Sequence, residues 1–326
     1  MASGKQLALD FRRTRIVKGH GLSLAERLRA ARRVPQAIVK VASYGQGLKE
    51  AMGQVSYISR KGKLELETDQ GDRLTTLAQQ KAVVHEWARD FGHRKNSRDT
   101  VNIVFSMPNG SDPEALRRSV RKVLERRFPD HEAVFGIHEE KKHPHAHVVM
   151  KMRGRNRKTK LDLRKEDLHH LREVFAEAAR EEGVEMAVSP RAARGVGRKG
   201  TKRTVYHLRQ KKIVPKAEKQ TAQDTVVDLQ KGSLEEKPWE KAMLKRNRIE
   251  REAYQAEAGK LRAAARQTQV DRETLLRAAA DLERFAKTMP TPKTLRQTIL
   301  EKLGQDPPSK SLDRPKSSQS QDGLDR

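Results

Sequence analysis

The sequence predicts an α+β domain, an antiparallel sheet with helices packed on one face, followed by a helical and disordered C-terminal extension. Apolar segments with a period of two alternate with helical patterns from about residue 36 to residue 188. Beyond that point the chain becomes strongly basic, then helical in composition, and it ends in a segment rich in Pro, Ser and Gln. The sheet domain is therefore expected in the N-terminal part of the chain.

The elements of this domain are expected from periodicity and from turn and capping residues. Strands are expected at 37–43, 100–107, 133–139 and 145–152, with a hairpin at 63–75. Helices are expected at 47–60, 76–91, 112–128 and 164–182, the last of them stopped by Gly183. The last two strands are expected to form a hairpin that is closed by a tight turn.

We expect five segments along the chain. They are a basic N-terminal arm (1–35), the sheet domain (36–212), a linker (213–238), a helical C-terminal region (239–303) and a disordered tail (304–326). In the helical region the apolar residues recur near a 3.5 spacing that Thr268 and Arg272 interrupt. This pattern predicts a long solvated helix or a weak coiled coil.

Charge and composition restrict the function. The formal net charge of +27 favours a polyanionic partner, of which nucleic acid is the commonest and an acidic membrane surface the alternative. No apolar run approaches the roughly 20 residues of a spanning helix, so we expect no membrane insertion and a soluble, cytoplasmic protein. The absence of cysteine excludes disulfides, thiolate metal sites and cysteine nucleophiles.

A histidine cluster is the strongest chemical signal. Four of the eleven histidines lie between positions 138 and 147. Strand alternation places His138, His145 and His147 on the partly polar sheet face, which we expect to be open, and a tight turn would bring them together. Imidazole is the commonest protein ligand for metals, so the spacing predicts a divalent metal site. His143 shares the parity but lies at the turn, where we expect it to support a ligand or contact DNA.

Tyr57 faces away from the apolar stripe of its helix. A tyrosine in that position is usually an ordinary surface residue. Here it is followed by Arg60, Lys61 and Lys63, which can neutralise a phosphodiester beside a nucleophilic phenol. The alternative interpretation is a basic helix end that the helix dipole favours.

The order of these motifs resembles a known family. The segment 57–66, the histidine cluster and the stretch 189–195 occur as they do in the conjugative relaxases, and the similarity is greatest to the VirD-type branch of the MobP class within the HUH endonucleases. The resemblance covers roughly residues 36 to 210. It implies the HUH relaxase fold, with an open sheet face that binds single-stranded DNA at the origin of transfer.

The resemblance also implies roles for particular residues. Tyr57 matches the nucleophile; His138, His145 and His147 match the metal ligands; and Glu140 matches an acidic catalytic position. The implied reaction is metal-assisted attack of the tyrosine on the nic-site phosphodiester, which leaves a 5′-phosphotyrosine and a protein that pilots the transferred strand. Mg²⁺ or Mn²⁺ is the expected ion, with Zn²⁺ as the alternative.

Two positions depart from the family pattern. The family usually has Asp where Glu140 stands, which leaves the role of this carboxylate open, and Asn where Lys151 stands, which we interpret as a phosphate contact. Basic residues around the two motifs are expected to line the DNA path. The expected DNA contacts are Arg60, Lys61, Lys63, His143, Lys151, Arg153, Arg155, Arg157 and Lys158.

Partners and location follow from the resemblance as well. It implies auxiliary relaxosome proteins and a type IV coupling protein as partners, a bacterial cytoplasmic location, and translocation into a recipient cell on the transferred DNA. Two alternatives stay open. One is a rolling-circle replication initiator or transposase of the HUH group, and the other is a non-enzymatic basic nucleic-acid-binding protein, which would form no covalent DNA adduct.

Overall fold

The computed structural model describes residues 22–92, 97–139, 143–196, 201, 203–269 and 271–304. The chain forms two compact units, the first ending at Ser189 and the second beginning at Pro190. Most of the expected N-terminal arm and residues 305–326 of the expected tail lie outside the described residues. Among the helices described, none is both long enough and apolar enough to cross a bilayer.

The first unit contains helices and strands close to the expected positions. The helices are α1 (Leu24–Ala31), α2 (Gly47–Ile58), α3 (Leu77–Ala88), α4 (Pro113–Arg127) and α5 (Lys165–Glu181). The strands are β1 (Ile38–Gly45), β2 (Leu66–Thr68), β3 (Arg73–Leu74), β4 (Thr100–Ser106), β5 (Ala133–His138) and β6 (His145–Lys151). Local signals set several ends: Asp112 caps α4, and Gly183 takes a φ of 80° just after α5.

The strands form one six-stranded sheet in the order β1-β4-β6-β5-β2-β3, and every neighbouring pair is antiparallel. This sheet with its helices confirms the predicted α+β class. The central pair β5 and β6 is in register so that His138 lies opposite His145 and Gly136 opposite His147. The register therefore places the three expected metal ligands at one end of two adjacent strands.

The main core lies on the sheet face that strand alternation predicts. Alternate residues of the three central strands, such as Ile103, Phe135 and Val148, are buried there against α4 and α5. Phe105 of β4 meets Phe175 of α5 edge to face, with ring centroids 5.1 Å apart. The helices α4 and α5 form the layer that the sequence predicts on this face.

The opposite face is covered in part by α2 and α3. Val55 and Ile58 of α2 and Trp87 of α3 are buried against Val134 and Val149 of the sheet. An amphipathic helix must bury its apolar stripe, and here the stripe packs on the sheet. The face that we expected to be open therefore carries a second, smaller helical layer.

Asp99 fastens the start of α2 to the sheet. Its carboxylate accepts hydrogen bonds from the backbone N–H of Gly47 (2.8 Å) and Gly92 (3.0 Å) and from the hydroxyl of Ser97 (2.7 Å). Burial alone would raise the pKa of Asp99, but these hydrogen bonds to the charged form outweigh burial and lower the pKa. The ionised form is thus the one that holds α2 in place.

Asp99→Asn should lower the free energy of unfolding at neutral pH by about 1–3 kcal/mol, since hydrogen bonds to a charged group are lost. The pKa of Asp99 is lowered on folding, so its contribution is complete above the ordinary value of 3.8 and is lost as the pH falls below it. Denaturant melts from pH 7 to pH 3 should show the wild type and the variant converging. Asp162→Asn is the control, because its ion pair with Arg164 lies in solvent and contributes little.

The second unit is helical. Its helices are α6 (Arg203–Gln210), α7 (Lys216–Gln230), α8 (Pro238–Gln267), α9 (Arg272–Thr288) and α10 (Leu295–Lys302), after a 3-10 turn at Ala192–Arg194. The stretch that we expected to be a linker contains α7. The expected long helix is instead two helices, because Thr268 is extended and Asp271 takes a φ of 59°. The two helices pack on each other through apolar residues such as Ala258 and Leu282.

The stretch 189–195, which carries part of the family resemblance, is folded into this second unit from Pro190 onward. The buried Tyr254 of α8 donates its hydroxyl to the carbonyl oxygen of Ala193 at 2.8 Å and packs on Phe285 of α9. Gly195 has a φ of 68°, and an added Cβ would lie 2.7 Å from atoms of Met289 and of Pro290. The basic stretch thus begins in a fixed, close-packed turn.

Candidate metal and nucleophile site

The three histidines predicted to bind a metal converge in the structure. One ligand atom from each of His138, His145 and His147 lies within 4.8 Å of the others. His138 and His147 are buried, with exposed fractions of 1% and 6%, and His145 is partly exposed. The cluster therefore has a closed side toward the sheet and one side that a substrate can reach.

Hydrogen bonds orient the two buried rings. Nε2 of His138 lies 2.8 Å from the carbonyl oxygen of Ile58, and Nδ1 of His147 lies 3.2 Å from Oδ1 of Asn102. These oxygens only accept, so the bonded nitrogens carry the protons and the other ring nitrogens carry the lone pairs. Metal-binding histidines are held by outer partners in the same way.

His145 completes the pattern. Its Nδ1 lies 3.2 Å from the carbonyl oxygen of His143, which leaves the lone pair on Nε2. Three imidazole nitrogens with lone pairs at close quarters suit a divalent cation. The residues present therefore fit a metal ion, and His143 supports a ligand through its backbone while its side chain is exposed.

Tyr57 lies beside this cluster. It is in the last turn of α2, its side chain is 55% exposed, and its ring centroid is 5.3 Å from that of His147 and 6.2 Å from that of His138. The next residue, Ile58, accepts the hydrogen bond of His138. This hydrogen bond, together with the packing of Ile58 on the sheet, holds the end of α2 against β5 and brings the phenol to the cluster.

Gly136 makes this approach possible. It lies on β5 on the histidine face, and an added Cβ would stand 3.0 Å from the carbonyl oxygen of Ile58 and 2.8 Å from Cδ2 of Leu66. Backbone atoms cannot give way as a flexible side chain can. The absence of a side chain at Gly136 is therefore required for the observed position of α2 against β5.

The turn after Tyr57 is held in a left-handed conformation. Arg60, Lys61 and Gly62 have φ values of 54°, 60° and 84°. The N–H of Lys61 donates to the carbonyl oxygen of Ser56 at 2.8 Å, which ends the helix in a C-terminal turn. Glycine is the usual residue in such a turn. The arginine and lysine make this turn costlier than glycine would, by about 1 kcal/mol each. The turn brings the guanidinium of Arg60 to 6.0 Å from the centroid of the Tyr57 ring.

Lys151 differs from the phosphate contact that we expected. It is 4% exposed, and its ammonium group pairs with Asp90 at 2.9 Å and with Glu132. The hydrogen bond from Lys151 is the main cause of a lowered pKa at Asp90, and burial opposes it. Although Lys151 shares the face of His147, it lies about 13 Å away along β6, next to the end of α3. Its contacts are those of a structural ion pair.

The other expected DNA contacts divide into paired and exposed side chains. Arg155 pairs with Asp69 and donates to the carbonyl oxygen of Pro129 at 3.0 Å, which fixes it on the protein. Arg157 pairs with Asp90 at 2.9 Å but stays 70% exposed. The exposed side chains are those of Lys61, Lys63, His143, Arg153 and Lys158. Glu140 lies outside the described residues.

Two functional positions were missed in the sequence. Asn102 orients His147, and it occupies a polar position on the histidine face of β4, a signal that strand alternation offered. Gly136 interrupts an apolar strand, which often marks a close backbone approach. The polar residue on β4 and the glycine within β5 both lie on the sheet face that carries the histidines, so both could have been predicted to belong to the site.

A family model matches a large part of the first unit. Residues 57–184 match the model described as the MobA/VirD2-like relaxase nuclease domain. Residues 57–184 therefore form a relaxase nuclease domain of the MobA/VirD2-like kind. The matched range begins at Tyr57 and includes the three histidines, so the family resemblance seen in the sequence is confirmed.

The curated relatives of this relaxase domain include two T-DNA border endonucleases VirD2. The VirD2 of Rhizobium radiobacter is 27% identical over 184 residues, which cover 49% of this chain and 43% of that protein. The VirD2 of Rhizobium rhizogenes is 26% identical over 185 residues, which cover 49% and 42%. The chain therefore spans less than half the length of these relatives.

Two solved structures also align with about half of this chain. One is described as the molecular basis of vancomycin resistance transfer in Staphylococcus aureus, with a TM-score of 0.35, 13% identity, and coverage of 48% of this chain and 99% of that chain. The other is the MobM relaxase domain bound to 26-nucleotide oriT DNA, with a TM-score of 0.36, 13% identity, and coverage of 52% and 98%.

Proposed function

We propose that this relaxase is a conjugative or mobilisation enzyme that nicks single-stranded DNA at an origin of transfer through Tyr57. The observation that supports this most strongly is the exposed phenol of Tyr57 with its ring centroid 5.3 Å from that of His147, in a domain of the relaxase nuclease family. A phenol beside a cation site is the arrangement that phosphodiester transesterification needs.

The proposed reaction exchanges one ester for another. The phenolic oxygen of Tyr57 attacks the scissile phosphorus, the new O–P bond forms, and the bond from phosphorus to the 3′ oxygen breaks. The phenol loses its proton overall and the leaving 3′ oxygen gains one. The products are a 5′-phosphotyrosine and a free 3′-hydroxyl. Because no ester is lost, the same atoms can reverse the step and rejoin the strand.

We infer that His138, His145 and His147 hold the divalent ion. When bound, the ion supplies Lewis-acid polarisation of a nonbridging phosphate oxygen. Imidazole nitrogens suit Mn²⁺ or Zn²⁺ better than Mg²⁺, although Mg²⁺ and Mn²⁺ are the ions implied by the family resemblance. Glu140 follows the first ligand closely in the sequence, and we propose that its carboxylate serves this site as a proton acceptor or as a partner of a histidine.

Basic side chains in two groups on this domain are proposed phosphate contacts. Arg60 and Lys61 follow the nucleophile in the left-handed turn, and Lys63 follows them. Arg153, Arg157 and Lys158 follow the end of β6 that lies away from the histidines. Cations on flexible stems hold a DNA backbone without reading its sequence. These contacts position the strand, and the pairing of Arg155 and Lys151 with carboxylates makes those two weaker candidates.

One experiment tests the proposed function directly. Purified protein is incubated with labelled single-stranded DNA from the origin region and Mn²⁺ or Mg²⁺, and a denaturing gel is examined for a protein–DNA adduct. We expect an adduct that EDTA prevents. A non-enzymatic nucleic-acid-binding protein would give no adduct with any metal. A rolling-circle initiator or transposase would give an adduct with DNA from its own replicon or element rather than from the origin of transfer.

Metal binding can be measured without DNA. His147→Ala should weaken Mn²⁺ binding by at least about tenfold in calorimetry, because one of three ligands is lost. His170→Ala is the matched control, since that exposed histidine pairs with Glu173 away from the cluster. Equal Mn²⁺ affinity in wild type and His147→Ala would contradict the assignment of the ligands.

For the second unit we propose contacts with the transfer machinery. Auxiliary relaxosome proteins and a type IV coupling protein are the partners that the family resemblance implies, with action in the bacterial cytoplasm and translocation on the DNA. The boundary at Ser189 offers a test, because a truncation there removes one compact unit. We expect the truncated protein to form the adduct but to lose transfer between cells. Loss of the adduct would contradict this division of labour.

A further inference from the structure

We propose that the side of α8 that faces solvent is a docking surface for an acidic amphipathic helix of a partner protein. The inference rests on the proposed function only in that the second unit contacts other proteins, and it is independent of DNA nicking. It adds the place of that contact on the chain and the chemistry of the partner.

The helix α8 has apolar residues on two opposite sides. One side, which includes Tyr254, Ala258 and Leu261, is buried where α8 packs on α9. Ile249 is nine residues from Ala258, which is about two and a half turns of helix, so it points the other way. On that other side apolar residues recur at intervals of three and seven, and all of them are exposed. These residues form the outer stripe: Trp239, Ala242, Ile249, Ala256 and Ala263.

Two large side chains make the outer stripe unfavourable in water. Trp239 is 63% exposed, more than any other large apolar side chain described, and Ile249 is 51% exposed. Exposed apolar residues that lie together on one surface usually mark a site of interaction. Tryptophan is also among the residue types that contribute most to binding at protein interfaces. The outer stripe therefore has the composition of an interface rather than of an ordinary solvated helix face.

The alanines of the outer stripe indicate the shape of the partner. Small side chains let a second helix approach closely, and larger apolar residues of that helix can then fill the space above them. The interval of seven residues is the spacing with which two helices keep contact over several turns. A bilayer surface would gain little here, because helices that lie on membranes bury bulky apolar residues. The partner is thus expected to be a helix with a stripe of bulky aliphatic residues.

The charge beside the outer stripe indicates an acidic partner. Three exposed cations flank its N-terminal half, and none of them forms an ion pair with a described residue: Lys241, Lys245 and Arg246. Glu252 and Glu257 flank the stripe further along, but they pair with Arg248 at 3.7 Å and with Lys260 at 2.9 Å. The charge left without a partner is therefore positive, and carboxylates on an incoming helix would complement it.

The same charge argues against two other occupants. A second copy of this chain would bring like cations together, and the formal net charge of +27 opposes such pairing further. Nucleic acid would pair with the cations but would leave Ile249 and the alanines in water. An acidic helix with an aliphatic stripe satisfies both the cations and the apolar residues.

The probe for this surface is a synthetic helix of about four heptads, with leucine at two positions of each heptad and glutamate beside them. A control peptide has the same composition in an order that forms no stripe. The chain has two tryptophans, Trp87, which is 2% exposed, and Trp239. A helix that covers Trp239 shifts its emission to shorter wavelength. Titration of the full chain therefore reports both where the peptide binds and its Kd.

We expect the striped peptide to shift the emission and the control peptide to leave it unchanged. Ile249→Ser should weaken binding of the striped peptide about tenfold, because one buried isoleucine is lost without a change of charge. Val227→Ser is the matched control, since Val227 is 44% exposed on α7, and it should bind as wild type does. Equal binding of the two peptides, or equal Kd values for the two variants, would overturn the proposal. An emission shift caused only by oligo-dT or by phosphatidylglycerol vesicles would overturn it as well.

The same variants test whether the surface serves transfer. Ile249→Ser should form the covalent DNA adduct as wild type does, and transfer between cells should fall by about tenfold, in line with the lost affinity. Val227→Ser should change neither. Equal transfer by the two variants would contradict a role of the outer stripe. Wild-type protein that binds the striped peptide but forms no adduct would refute the nicking function and leave the docking surface standing.

Discussion

Tyr57→Phe is expected to abolish the covalent protein–DNA adduct. The substitution removes one oxygen, and that oxygen is the atom proposed to join phosphorus, so no residual pathway to the same product exists. The side chain is 55% exposed, so folding should be unaffected. Mn²⁺ affinity and binding of single-stranded DNA should stay within about twofold of wild type, because neither requires the hydroxyl. The measurement is the denaturing gel together with calorimetry and anisotropy on the same preparation.

The matched control is Tyr206→Phe. Tyr206 is 53% exposed on α6, so the two variants lose the same group from equally accessible positions. We expect Tyr206→Phe to form the adduct as wild type does. An adduct that persists in Tyr57→Phe would refute the assignment of the nucleophile, even if the metal site were correct.

Gly136→Ala is expected to lower both adduct formation and stability. The new methyl group would meet the carbonyl oxygen of Ile58 at 3.0 Å and Cδ2 of Leu66 at 2.8 Å, so the end of α2 must move. That movement strains the hydrogen bond from His138 and shifts Tyr57 away from the cluster. Overpacking of this kind costs about 1–3 kcal/mol in unfolding free energy. A misplaced nucleophile can cost on the order of 100-fold in rate.

Gly53→Ala is the control for this substitution. Gly53 lies within α2, and nothing lies within 4 Å of the Cβ that an alanine would add. Here the same change should stabilise the protein by about 0.5–1 kcal/mol, because alanine favours the helix. The two variants should therefore move the denaturation midpoint in opposite directions. Equal activity of Gly136→Ala and wild type would show that adduct formation does not depend on the observed position of the end of α2.

Much of the fold follows from local patterns. Strand alternation placed Ile103, Phe135 and Val148 on the core face, and Asp112 and Gly183 marked helix ends at the residues where the structure has them. These signals work because the period of two and the caps are set by backbone geometry within a few residues. The histidine cluster could be predicted for the same reason, since His138, His145 and His147 belong to one hairpin.

The rest depends on contacts between distant segments. The sequence showed the apolar stripe of α2 but not the surface that buries it, so the second helical layer was not foreseen. The ion pair of Lys151 with Asp90 joins residues 61 positions apart, and parity alone suggested an exposed cation. In the second unit, the apolar residues with the 3.5 spacing do lie on helices. The turn at Asp271 divides them between two helices that pack on each other. Packing partners of this kind cannot be predicted from local periodicity.

The hydrogen bond between His138 and Ile58 would couple cation binding at the proposed site to the order of the end of α2. A ring that binds a cation through one nitrogen becomes a stronger donor through the other, so a loaded site grips the end of the helix more firmly. By linkage, whatever steadies that helix end must raise cation affinity by the same factor. Under the proposed function, a DNA strand that steadies this helix end would therefore raise the affinity of the three histidines for their ion.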